Sequence, residues 1–250
     1  MYEKTEGIVL REIEYKDADK LLTVLTREHG KLTLKARGVR SGRSRSKAAC
    51  QLLTFSEFTV SEKQGKYVIT EATPKEMFPE LRADLELLYL ASYFAQVTDA
   101  VAQEEDASQE LLSLLLNALY ALAKLKKPQK MIKAVFELRL ACIAGFMPDL
   151  RGCAVCGNVQ PNRFNITQGL LQCAACRSDA TDGIRMPVSA GSLAAMRYIA
   201  AADPKRLFSF TLSESALREL NDLTESYLTM RLERGFFTLD LYKSLFIEEI

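Results

Sequence analysis

Roughly the first 70 residues alternate apolar and polar positions in short runs, which is the pattern of half-buried β-strands. The five runs are TEGIVLREIEY, two runs within KLLTVLTREHGKLTLKARG that meet at a turn ending in Gly30, LLTFSEFTV, and YVITEAT, which follows a turn around Gly65. Five strands with short connections leave unpaired edges unless the sheet closes on itself. The pattern therefore predicts a small closed or nearly closed barrel.

From Pro79 onward the apolar residues recur at the helical period. ELRADLELLYLASYFAQVTDAV is predicted to be one helix, with Leu81, Leu85, Leu88, Ser92 and Ala95 on one stripe. Further helices are predicted in SQELLSLLLNALYALAKL, from Pro128 to Ala144, in SAGSLAAMRYIAAA and in SESALRELNDLTESYLTMRL. We predict an α+β chain with a barrel over residues 1–78, a helical domain over 79–250, and a cysteine-rich module inserted at 149–185.

Four cysteines inside that module have the spacing of a metal site. Cys153, Cys156, Cys173 and Cys176 form C-x2-C-x16-C-x2-C, and each pair can offer two thiolates to one tetrahedral ion. RFNIT alternates and Gln168-Gly169 can turn, so a hairpin can bring the pairs together in a ribbon-like site. The alternative is two redox pairs, but neither pair follows a strand that opens a helix. We predict one structural Zn2+ per chain, because four thiolates leave no open coordination position.

Charge is concentrated in the run KLTLKARGVRSGRSRSK, which contains seven cations and no acid in a chain of net charge +1. Its first half is a strand with Leu32, Leu34 and Ala36 on one face, where cations on the other face are ordinary. Its second half, Gly38 to Lys47, has few apolar residues and is predicted to be a flexible arm. The candidate DNA-binding residues are the seven cations Lys31, Lys35, Arg37, Arg40, Arg43, Arg45 and Lys47.

Binding to the phosphate backbone of nucleic acid explains this run best, because a self-repelling loop needs a counter-charge. An acidic protein partner and a merely solvated loop are the alternatives, and the former would make the chain an interaction scaffold. Tyr15, Phe55, Phe58 and Tyr67 could stack on bases, although aromatic residues also fill the cores of small barrels. No signature of base readout is present, so binding is predicted to be sequence-independent.

The sequence lacks the residues of common catalytic sites. His29 is its one histidine, which excludes HExxH proteases and histidine-based triads, and neither GxGxxG nor a P-loop motif occurs. We predict a protein that is not an enzyme; a zinc-dependent enzyme acting on nucleic acid is a third alternative. The charged opening and the lack of a long apolar run predict a cytoplasmic protein with no membrane partner.

Two stretches carry a resemblance to a known family. GFMPDLRGCAVCG with GLLQCAAC, and GIVLREIEYKDADKLLTVLTREHGKLTLKARGVR, resemble the bacterial recombination mediator family RecO, and the likeness spans essentially the whole chain. The family often has two glycines where this chain has Gln168-Gly169. That difference could alter the hairpin turn but removes no predicted ligand.

The resemblance implies an OB-fold barrel followed by a helical domain. It implies binding of single- and double-stranded DNA and annealing of complementary strands. It further implies association with RecR and with the acidic C-terminal tail of single-stranded DNA-binding protein, and thereby help in loading RecA at the nucleoid. Some members lack the zinc ligands, which agrees with a structural role for the metal.

Overall fold

The structure, a computed structural model, describes residues 2–104, 106–176 and 182–246. The chain forms two compact units, one of Met1–Lys124 with Phe236–Ile250 and one of Leu125–Gly235. These units do not coincide with the boundary at residues 78 and 79, which stays a prediction. In the described ranges, no helix is long and apolar enough to cross a membrane.

Five strands form the amino-terminal part of the first unit. They are β1 (Tyr2–Tyr15), β2 (Asp19–Thr26), β3 (Lys31–Ala36), β4 (Phe55–Lys63) and β5 (Lys66–Glu76). They close in the order β1-β2-β3-β5-β4, with β3 and β5 parallel and the other neighbours antiparallel. This is the five-stranded barrel of an OB-fold, so the predicted barrel is confirmed.

The barrel core follows the alternation of the sequence. In β3, Leu32, Leu34 and Ala36 are buried while the residues between them face outward. Phe58 is completely buried in this core, which leaves no face of its ring for a base.

The segment predicted to be a flexible arm also reaches the barrel core. Val39 is 3% exposed and packs there together with Ala49 and Cys50. The prediction of a flexible arm is therefore wrong at Val39, which packs in the core, and Ala49 and Cys50 anchor the chain just past the other end of the segment.

The helices are α1 (Pro79–Ala83), α2 (Leu85–Val101), α3 (Gln109–Lys124), α4 (Gln129–Ile143), α5 (Ala190–Ala201), α6 (Glu214–Leu232) and α7 (Phe237–Ser244). The single helix predicted from residue 80 to 101 is wrong, because Asp84 is extended (φ −130, ψ 125) and its carboxylate caps the Leu87 N–H at 3.1 Å. The break changes the buried face: Leu85 is 52% exposed, whereas Tyr93 and Phe94 are buried.

The second unit is organised around α4, which carries a buried ionic group. Lys133 Nζ lies 2.9 Å from a Glu137 carboxylate oxygen and 2.8 Å from one of Glu225 on α6. Thr224 Oγ1 donates to the second Glu137 oxygen at 2.8 Å. Burial raises the pKa of Glu137, while the two carboxylates outweigh burial and raise the pKa of Lys133. These contacts fix how α4 meets α6.

Between α4 and α5 lies a small sheet of four strands, β6 (Asp149–Cys153), β7 (Arg163–Asn165), β8 (Leu170–Gln172) and β9 (Arg185–Pro187). Its order is β6-β8-β7-β9. Arg197 on α5 fixes the sheet to the helix, since its guanidinium donates to the carbonyl oxygens of Leu150 and Val159, both at 2.8 Å.

Candidate metal centre and nucleic-acid interface

The structure brings the four predicted metal ligands together. The sulfur atoms of Cys153, Cys156, Cys173 and Cys176 all lie within 4.8 Å of one another. The Cys156 and Cys173 sulfurs are 3.7 Å apart. A tetrahedron with Zn–S bonds of about 2.3 Å has edges of about 3.8 Å, and the Cys156–Cys173 separation matches one such edge. A four-cysteine cluster that could hold a metal ion is thus present, and the ligand assignment itself stays a prediction.

The electrostatics of the cluster favour a cation. Burial raises the pKa of Cys153, but backbone N–H groups of Cys156, Val155 and Cys173 outweigh it and lower that pKa to about 6. The contact of Cys176 with Cys156, together with burial, raises the Cys176 pKa to about 12. Once one cysteine has lost its proton, its negative charge therefore opposes ionisation of the other three, because like charges in one site repel one another. A dication would reverse that opposition and hold four thiolates.

Groups around the cluster orient its sulfurs. Asn158 Nδ2 donates to Cys173 Sγ at 3.4 Å, and the Cys173 N–H donates to Cys153 Sγ at 3.3 Å. Hydrogen bonds of this kind fix the direction of a thiolate lone pair and stabilise its charge. They make the cysteine pairs a prepared site.

The hairpin turn that joins the two pairs tolerates the departure from the family pattern. Gly169 has φ +71, and a Cβ there would lie 2.6 Å from the Tyr227 hydroxyl oxygen, so this position requires glycine. Position 168 does not require glycine, and the Gln168 N–H donates to Asn165 Oδ1 at 3.1 Å. The turn therefore keeps the glycine that matters.

The seven predicted DNA-binding cations differ in how far they are already neutralised. Lys31 Nζ lies 3.3 Å from Asp99 and donates to its backbone oxygen, Lys35 Nζ lies 3.1 Å from Asp19, and Arg40 lies 2.9 Å from Glu14. Among the residues that the structure describes, the other four have no ion-pair partner, and all four are exposed: Arg37, Arg43, Arg45 and Lys47.

A groove on the barrel lies beside β3. We call it the barrel groove; it has a volume of about 650 Å³, and its lining includes Lys35, Arg37, Lys63, Lys66, Tyr15 and Tyr67. The Lys35 ammonium lies 4.9 Å from the centre of the Tyr15 ring, an attractive cation–π arrangement. Cations and aromatic faces side by side suit a ligand that carries both phosphates and bases.

Sequence reasoning missed two cations of this groove, Lys63 and Lys66. They stand opposite each other across the β4–β5 turn, and like charges in that position destabilise a hairpin. The signal was present in SEKQGK, where lysines flank the Gln64-Gly65 turn. Their relation to Lys35 was not visible, because it depends on the parallel pairing of β3 with β5, which sets Lys35 opposite Val68.

Comparison with known proteins agrees with this architecture. The family model for the recombination protein O N terminus matches residues 1–78, and the model for its C terminus matches residues 82–240. A DNA repair protein RecO of Acetivibrio thermocellus is 32% identical over 98% of this chain and 97% of its own length. The RecO protein of Desulforamulus reducens is 32% identical over 96% of this chain and 95% of its own. Both family models match, and a closed barrel is followed by helices with a four-cysteine cluster between α4 and α5; the chain belongs to the RecO family of DNA repair proteins.

Proposed function

We propose that this chain is a non-enzymatic mediator of DNA repair and homologous recombination that works in the cytoplasm at the nucleoid. It binds single- and double-stranded DNA without sequence preference and anneals complementary strands. With RecR it helps to load RecA onto strands coated by single-stranded DNA-binding protein, whose acidic C-terminal tail it contacts. Support comes from membership of the family and from two sets of cations without ion-pair partners among the described residues: Arg37, Lys63 and Lys66, which line the barrel groove, and Arg43, Arg45 and Lys47 in the loop.

The observation that carries DNA binding is the set of cations without counter-charges. Arg43, Arg45 and Lys47 project from a loop whose ends are held in the barrel core, and Lys63 and Lys66 repel each other across a turn. Phosphates would relieve this repulsion, and the release of condensed counterions would favour association. Lys31, Lys35 and Arg40 remain predicted contacts, but their ion pairs make them weaker candidates.

Annealing follows from the same charge physics. Two single strands repel each other through their phosphates, and a cationic protein that holds both reduces that repulsion. Holding the strands close also raises their effective concentration. Neither effect needs a hydrolysed nucleotide or a catalytic side chain.

We assign Zn2+ to the four-cysteine cluster as a structural ion. Four sulfur ligands complete a tetrahedron and leave no position for water or substrate. The ion would hold the hairpin of β7 and β8 to the loop after β6, and so contribute to folding.

The proposed function can be tested with the triple variant Arg43→Ala/Arg45→Ala/Lys47→Ala in the full chain. Binding of fluorescent single-stranded DNA is measured over a range of salt concentrations. We expect weaker binding and a log–log salt slope reduced by up to about 2, from about 0.7 per phosphate contact.

A matched control removes three cations that are already paired on the same barrel: Lys4 with Glu57, and Arg27 and Lys75 with Glu6. This control should change the slope much less, because its cations are not free to meet phosphates. Equal affinity and slope in the triple variant and the native chain would refute DNA binding by the loop. Loss of affinity for an acidic peptide alone would favour the scaffold alternative.

A further inference from the structure

A second concentration of positive charge lies in the unit formed by Leu125–Gly235. It comes from LKKPQK at 125–130 and from the short 3-10 helix Pro204–Arg206. We call it the basic corner, and its members are Lys126, Lys127, Lys130, Lys205 and Arg206. Asp203 is the one acidic residue in 125–130 and 203–206, and its carboxylate accepts a hydrogen bond from the Lys205 N–H at 2.9 Å.

Side-chain contacts join the two segments of the basic corner. Lys127 Nζ donates to the Phe210 carbonyl oxygen at 3.1 Å. The Phe210 ring packs edge-on against Tyr198, with 5.2 Å between ring centres. The Tyr198 hydroxyl in turn donates to the Arg206 carbonyl oxygen at 2.6 Å. Two basic stretches that are distant in sequence therefore meet around one aromatic pair.

The charges of the basic corner are available to a ligand. Lys126, Lys130, Lys205 and Arg206 are exposed, and none has an ion-pair partner in the part of the chain that the structure describes. Lys127 has a structural role through Phe210 and is the exception. Four like charges held at one corner repel one another and gain from an extended polyanion.

We propose that the basic corner is a second contact surface for the phosphate backbone of nucleic acid, separate from the barrel groove. This inference rests on the proposed function and deepens it, since annealing needs two strands on one molecule. Most of the exposed cations are lysines, whose ammonium groups bind phosphate as point charges on flexible stems.

The number of oligonucleotides bound per chain tests the inference. Full-length protein is titrated with labelled oligothymidylate of about 12 nucleotides, within the span of one OB-fold site. The protein concentration is kept above the dissociation constant, so the stoichiometry is read directly. We expect two oligonucleotides per native chain, and energy transfer between donor- and acceptor-labelled oligonucleotides held together.

Two double variants, Lys126→Ala/Lys130→Ala and Lys205→Ala/Arg206→Ala, each remove the exposed cations of one segment of the corner and spare Lys127. Each lost phosphate contact reduces the log–log salt slope by about 0.7, so the two lost contacts of a variant reduce it by about 1.4. At about 0.1 M salt, each variant should therefore bind the second oligonucleotide about 25-fold more weakly. The control Arg151→Ala/Arg218→Ala removes two exposed cations of the same unit that are paired with Asp149 and Glu214, and should leave two bound.

Unchanged affinity for the second oligonucleotide in both corner variants, or binding of one oligonucleotide by the native chain, would overturn the inference. Loss of affinity for an acidic peptide at unchanged DNA stoichiometry would also overturn it, in favour of a protein ligand. The triple variant Arg43→Ala/Arg45→Ala/Lys47→Ala distinguishes this inference from the proposed DNA binding by the barrel loop. If that variant binds DNA as the native chain does while the corner variants lose the second oligonucleotide, the loop proposal is refuted and the corner proposal is supported.

Discussion

The barrel and the four-cysteine module are both small β-structures, but they differ in strand length and in the size of their apolar cores. The barrel strands are between 6 and 14 residues long and enclose an apolar core around Phe58. In the module, β7, β8 and β9 have three residues each, and the buried apolar side chains are few, with Phe164 and Leu171 the most completely enclosed. Burial of apolar surface can stabilise the barrel, whereas the module combines few buried apolar side chains with four cysteine sulfurs that lie within 4.8 Å of one another.

The comparison indicates what the fold of each region depends on. A closed barrel has no free edges and a continuous core, so its fold follows from the hydrophobic pattern. The four cysteine sulfurs bring the two ends of the module together, so the metal ion that we propose there would make the module's fold depend on that ion and on deprotonation of its thiols. We therefore expect removal of the metal to affect the module alone, and loss of a core side chain to destabilise the barrel alone.

The largest expected effect is loss of the module's structure when the metal is removed. Binding of structural zinc contributes about 10–16 kcal/mol in small zinc peptides, far more than three short strands can supply. After chelation, hydrogen exchange should accelerate in β6, β7 and β8 and remain slow in the barrel strands. Cys173→Ser should lower the metal content below one ion per chain, whereas Cys142→Ala, outside the cluster, should retain it. Unchanged exchange in the metal-free module would break the comparison.

A smaller effect in the opposite region is expected from Phe58→Ala. The ring is completely buried in the barrel core, and its removal should lower the free energy of unfolding by about 3–5 kcal/mol because a cavity remains. Denaturant unfolding followed by a probe in the barrel measures this loss. Metal content should stay at the native value, and Tyr2→Ala, at a residue 74% exposed, should have little effect. Metal loss in Phe58→Ala would show that the regions depend on each other.

The smallest expected effect is on metal affinity in Asn158→Ala. The amide donates to Cys173 Sγ at 3.4 Å, and loss of such a neighbour costs about 10–100-fold in affinity. Competition with a chromophoric chelator measures the change, and unfolding of the barrel should not move. Gln160→Ala, at an exposed residue of the same loop, is the control. Equal affinities for both variants would mean that the hydrogen bond does not tune the thiolate.

The predictions from sequence succeeded where one local pattern dominated. The five strands, the helix from Pro128 and the cysteine spacing each depend on residues close together in the chain. They failed where a competing local contact intervened: Asp84 caps α2 and divides a continuous apolar pattern into two helices. Helix α7 was not predicted; it is only eight residues long, and its position depends on contacts such as Thr238 with Gln96 at 2.5 Å.

By itself, the sequence determined the alternation that makes the barrel, the four thiols at ligand spacing, and the excess of charge in the basic run. Only the tertiary structure decided which cations are free, because ion pairs with Asp99, Asp19 and Glu14 join residues from different elements. It also decided that Lys63 and Lys66 share a groove with Lys35. The physical reason is that burial patterns are encoded by neighbours along the chain, while the neutralisation of a charge depends on partners that only the closed fold brings within reach.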